Sequence, residues 1–74
     1  MAFDYSKLKG RIIEIFGTQQ AFAVAMKWSE RTLSLKMNNI RTWTQKDIMQ
    51  ASILLSIPQE EIQKYFFKQK VQKI

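Results

Sequence analysis

The chain has no cysteine and no histidine among its 74 residues. Disulfide staples, thiolate nucleophiles, imidazole bases and nearly all zinc or transition-metal sites are therefore excluded. Carboxylates are sparse as well: the six Asp and Glu residues are scattered over predicted helix ends, with no pair placed for acid-base work. The expectation is a protein that is not an enzyme and uses no metal or other cofactor. Gly10, Gly17 and Pro58 are the only helix breakers, so few points interrupt regular structure and helices are favoured. No apolar run approaches the ~20 residues of a transmembrane helix. The stretch from Met1 to Gly17 carries acidic residues and helical periodicity rather than a signal-peptide layout. A cytoplasmic location with no membrane partner is expected.

What is present is globular in kind, with 46% hydrophobic and 24% charged residues. The length allows one domain, residues 1–74, whose stability must come from packing or a partner. Twelve Lys and Arg against six Asp and Glu give a net charge of +6, which points to an anionic partner such as nucleic acid. Many soluble basic proteins bind nothing anionic, so a motif must decide.

Leu8, Ile12, Ile13, Ile15 and Phe16 recur at helical spacing and predict a helix from Ser6, ended by Gly17 as a left-handed cap. Thr18 caps a short second helix with an apolar stripe of Phe22, Ala23 and Met26, and Trp28 falls in the turn that follows. Ser29 caps a third helix from about Glu30 to Asn38, with Leu33 and Met37 one turn apart on its buried side. Thr44 and Asp47 make a capping box for helix four, and Trp43 and Ile48 staple it. Ile48, Met49, Ser52, Ile53 and Leu55 carry that helix to Ser56, where Ile57-Pro58 forces a break and pre-sets helix five. Glu60 and Glu61 suit the start of that helix and Lys68 and Lys70 its end, as the helix dipole prefers. Ile62, Tyr65 and Phe66 supply its packing face, and Val71 to Ile74 read as a frayed basic tail.

Thr18 to Asn39 thus reads as a helix-turn-helix. Such a unit needs a small residue where its helices cross, supplied by Ala23, an apolar anchor in the second helix, supplied by Leu33, and an apolar plug in the turn, supplied by Trp28. The runs Thr18-Gln19-Gln20-Ala21-Phe22-Ala23, Trp28-Ser29, Thr32-Leu33-Ser34 and Met37-Asn38-Asn39 resemble the repressor and Cro proteins of temperate bacteriophages. Downstream, Trp43-Thr44-Gln45-Lys46-Asp47-Ile48, Leu55-Ser56-Ile57-Pro58-Gln59-Glu60-Glu61-Ile62 and Tyr65-Phe66-Phe67 are similar to a narrower group. That group is the small Cro-like proteins of Gram-positive phages, which includes the modulator-of-repression antirepressors of lactococcal phages. The resemblance covers nearly the whole chain. It implies an all-α, five-helix, lambda-repressor-like domain that regulates the lysis/lysogeny switch in a bacterial host. For the modulator group it further implies a heterodimer with the CI-type phage repressor, whose N-terminal helix-turn-helix it masks. One position departs from the pattern: the turn residue usually held by glycine is Lys27.

With Leu33 and Met37 inward, helical geometry turns Glu30, Arg31, Ser34, Leu35 and Asn38 outward. Arg31 suits guanine, Glu30 cytosine and Leu35 a thymine methyl, within known readout chemistry. Gln19, Asn38 and Asn39 are similar to family positions that grip phosphate, and Lys27, Lys36 and Arg41 lie close enough in sequence to release counterions. Each cation can equally be a solvated charge, and Gln19 and the two asparagines can serve only as caps. Glu30 would approach phosphates with the wrong sign, and Leu35 spends apolar area on an outer face. Both suit a protein partner. Operator DNA, the CI-type repressor, or both therefore stay open, as does a homodimer. A plain Cro-like operator-binding repressor is the alternative.

Overall fold

The computed structural model describes residues 2–70. Five α-helices follow in order: α1 (Ser6–Phe16), α2 (Gln19–Ala25), α3 (Glu30–Met37), α4 (Gln45–Leu54) and α5 (Ile62–Phe66), with a 3-10 turn at Gln59–Glu61 before the last. No strand occurs among the described residues. Local chemistry sets most of the boundaries. Gly17 ends α1 at φ 84°, and its N–H reaches the Ile13 carbonyl at 2.8 Å. Thr18, Ser29 and Thr44 cap α2, α3 and α4 through their hydroxyls, and Asp47 completes a capping box with Thr44.

The core gathers one face of every helix: Leu8 and Ile12 from α1, Phe22 and Ala23 from α2, Leu33 from α3, Ala51 from α4 and Phe66 from α5. Trp43, in the link before α4, is its aromatic hub. Its ring packs against Phe66 at 5.2 Å, Trp28 at 5.4 Å and Tyr5 at 6.1 Å between centroids. Tilted and edge-on pairs of this kind add about 0.5–1.5 kcal/mol each beyond burial. Burial pushes the Tyr5 phenol above its ordinary 10.0. Arg11 ties α1 to the end of α4 by donating from Nε to the Leu55 carbonyl at 2.9 Å, which satisfies an acceptor the helix terminus leaves over.

The structure adds to the sequence reading in one respect and corrects it in another. Ile13 and Ile15 of α1 face solvent, and so do Met49 and Ile53 of α4, because these short helices each meet the core along a narrow stripe. Helix five is shorter than expected. Pro58 leads into a 3-10 turn, and α5 ends at Phe66. Lys68 and Lys70 consequently lie beyond it, in a segment that runs against the N-terminal arm. The Asp4 N–H donates to the Lys68 carbonyl at 2.6 Å, Lys70 N–H to Ala2 at 3.3 Å, and Phe3 bridges Gln69 antiparallel. An aromatic contact joins the same two segments: Phe3 meets Phe67 edge-on, with ring centroids 5.8 Å apart. The expected tail, 71–74, lies outside the described residues.

Candidate functional site

The surface that α3 presents is set by the turn before it. Trp28 N–H donates to the Ala23 carbonyl at 2.8 Å, and Lys27 N–H to Val24 at 3.0 Å, so the chain reverses within four residues, Met26 to Ser29. Lys27 adopts the left-handed conformation, φ 63°, that the missing glycine would have taken freely, a cost of roughly 1 kcal/mol. Ala23 is buried under the crossing and Leu33 anchors α3 in the core. With these fixed, Glu30, Arg31 and Ser34 stand in solvent. Leu35 is only half-buried, and its carbonyl accepts from Ile40 N–H at 2.9 Å and Arg41 N–H at 3.1 Å.

Two residues expected to face a partner are committed elsewhere. Lys36 is buried at 6% exposure. Its Nζ donates to Asp47 Oδ2 at 2.7 Å and to the Thr42 carbonyl at 3.0 Å, and lies 4.9 Å from the Trp28 ring centroid. It is thus no free cation for phosphate: α3 turns it inward, where its charge is neutralised. Asn39 at φ 63° uses its side-chain amide as a backbone mimic. Phe3 N–H donates to Asn39 Oδ1 and Asn39 Nδ2 donates to the Phe3 carbonyl, both at 2.9 Å. Donor and acceptor are both spent on clasping the N-terminal arm.

The other expected residues remain on the surface. Asn38 is exposed and closes the last turn of α3 by donating to the Ser34 carbonyl at 2.8 Å. Lys27 and Arg41 are exposed, and Gln19 is half-buried. A concavity of about 330 Å³ brings Gln19, Ser34 and Asn38 together with Lys9 and Lys70. The last two escaped sequence reasoning. Lys9 sits on α1 and Lys70 arrives only because residues 68–70 fold back on the arm, a long-range event with no local signature.

Electrostatically, the outer side of α3 is balanced. With Lys36 withdrawn, Glu30 and Arg31 are its only exposed charges. Beneath it, desolvation pushes the Asp47 carboxyl up, but the hydrogen bonds from Lys36 and from the backbone and hydroxyl of Thr44, with the charge of Lys36, outweigh this and hold it below its ordinary 3.8. Among the described residues no cluster of His, Cys, Asp and Glu is arranged to hold a metal ion, and no helix is long and apolar enough to cross a membrane.

Comparison with known proteins places this geometry. A family model described as a protein of unknown function, DUF739, matches residues 1–69. The solution structure of the modulator of repression (MOR) of the temperate bacteriophage TP901-1 from Lactococcus lactis is 49% identical, covers 97% of each chain and superposes with a TM-score of 0.81. The chain belongs to the modulator-of-repression family. A comparison with curated proteins finds no match. The modulator-of-repression likeness extends over the helical core, the α2–α3 unit and the returning C-terminal segment alike, since almost nothing of either chain lies outside it. The five-helix, all-α architecture read from the sequence is therefore that of the phage protein.

Proposed function

We propose that this chain is a regulator of a phage lysis/lysogeny switch that works in the cytoplasm of the bacterial host, as a single helix-turn-helix domain, by binding the N-terminal domain of a CI-type repressor through the outer side of α3. The observation that carries this reading is the charge balance of that helix. In a chain of net charge +6, the exposed side of α3 holds one anion, Glu30, and one cation, Arg31, beside half-buried Leu35. A DNA reader profits from cations at its leading edge, because counterion release supplies most of its affinity. A mixed, partly apolar face is instead the composition of a protein interface. The resemblance to a phage modulator of repression supports the same direction.

Size-exclusion chromatography of this chain with the N-terminal domain of the same phage's CI-type repressor should give a heterodimer, and Arg31→Glu should abolish it without lowering the thermal midpoint. Separate elution of the two wild-type chains would sink the proposal. A second reading, direct operator binding as in Cro-like repressors, draws on the Lys9 and Lys70 concavity beside Ser34 and on exposed Lys27 and Arg41. Fluorescence anisotropy with operator DNA at low salt separates the two: binding without repressor supports the second, and release of repressor from its operator supports the first.

A further inference from the structure

A second surface, sharing no residue with the outer side of α3, lies between α4 and the segment from Ile57 to Phe67. There an open groove of about 790 Å³ is walled by Ile48, Met49, Ile53, Ile62 and Phe67. Three exposed large apolar side chains of the described residues are here: Ile53 at 78%, Met49 at 58% and Phe67 at 45% exposure. None of the lining residues is charged, in a chain of net charge +6. Clustered apolar exposure of this kind marks a contact site rather than ordinary surface.

Trp43 and Ser52 also line the groove, both more than nine-tenths buried. A further observation points to an occupant: the groove does not stop at Phe67. That ring also lines an adjoining concavity with Lys7, Lys64 and Lys68 against a single carboxylate, Glu60. None of these three lysines is in an ion pair among the described residues.

We propose that the groove binds an amphipathic acidic segment of another protein. Its apolar side chains fill the space between Met49, Ile53 and Phe67, and its acidic end lies against Lys7, Lys64 and Lys68. Nucleic acid is disfavoured because an uncharged apolar floor offers phosphates nothing. A second copy is disfavoured because it would bring two chains of net charge +6 and two lysine clusters together.

The test is an NMR titration of the full ¹⁵N-labelled chain with a synthetic amphipathic helical peptide bearing leucines on one face and glutamates at one end, beside a control with those glutamates changed to lysine. The acidic peptide should shift the Trp43 indole N–H and the amides of Met49, Ile53 and Phe67. The control peptide should bind at least tenfold more weakly, as should the variants Ile53→Asp and Lys64→Glu/Lys68→Glu, whose thermal midpoints confirm folding. Absence of shifts, or equal binding of both peptides, overturns the proposal. So does self-association of the chain alone that Ile53→Asp abolishes, which would assign the groove to a second copy.

Discussion

The ammonium of Lys36 lies 2.7 Å from Oδ2 of Asp47, and that one contact joins the last turn of α3 to the first turn of α4. The same oxygen accepts the Thr44 N–H at 3.0 Å, so the helix cap and the ion pair share an atom. The side chains keep only 8% and 18% of their exposure, which leaves little solvent to replace a lost partner. Because Lys36 is held here, it also cannot contribute to the surface that α3 presents. Fold stability and the charge that α3 presents therefore depend on one pair.

Asp47→Ala should cost about 3 kcal/mol, because it strands a largely buried ammonium and removes half of a capping box. Lys36→Met should cost less: it loses the ammonium's contact with the Trp28 ring, but it strands no buried cation and Asp47 keeps its bonds to Thr44. The double variant should be more stable than the sum of the two losses predicts. Urea denaturation monitored by Trp fluorescence measures all three. Additive losses would show that the two groups are not coupled.

Stability should fall in acid at a pH set by Asp47. Its folded carboxyl titrates below the ordinary 3.8, so the folded state binds the proton less readily than the unfolded chain. The resulting stabilisation is complete above the unfolded value and is lost as pH drops through the lower folded one. Wild type should therefore lose stability progressively from just above pH 3.8 downward, with a steeper slope than Asp47→Asn over the same range. Thermal midpoints taken at successive pH values in a constant ionic strength check this, and identical slopes would remove Asp47 as the cause.

The division between what local sequence reveals and what it hides follows the range of the interactions. Thr18, Ser29 and Thr44 are legible as caps because a hydroxyl and an N–H three residues on settle the matter without the rest of the chain. Phe22, Ala23 and Leu33 are legible from helical spacing. Lys36 is not. A lysine beside Met37 reads as solvated, and its inward position makes sense only with a carboxylate eleven residues away. Asn39 likewise looks like a turn residue or phosphate ligand until Phe3, thirty-six residues distant, takes both ends of its amide. The exposed Ile53 is a third case, since periodicity marks an apolar position but does not say whether a neighbouring element arrives to cover it.

Asn39→Gly isolates the clasp on the N-terminal arm. Glycine accepts φ 63° without strain, and the strain it relieves is offset by its greater freedom in the unfolded chain, so the net change is chiefly the two side-chain hydrogen bonds to Phe3. At roughly 1 kcal/mol for each such bond, the loss should be about 1–2 kcal/mol. The distinctive readout is hydrogen exchange at the Phe3 amide, whose acceptor is removed; its protection should fall well before that of the α1 amides. Asn38→Ala, which touches only an exposed helix end, should leave that amide unchanged.

Lys27→Gly should raise stability. Lys27 is exposed and holds φ 63° in the turn between α2 and α3, and no ion pair among the described residues uses its ammonium. Replacing it relieves a left-handed strain of roughly 1 kcal/mol. Against this stands the greater freedom of glycine in the unfolded chain, an opposing effect of about 0.4–1 kcal/mol. The strain sits at a single, fully left-handed position whose N–H is already bonded to Val24, so the turn needs no rearrangement to accept glycine. The net should be a gain of up to about 0.5 kcal/mol, equivalent to a thermal midpoint higher by about 2–4 °C for a domain of this size. A lower midpoint would show that the lysine side chain packs or pairs in a way that offsets the strain of its backbone.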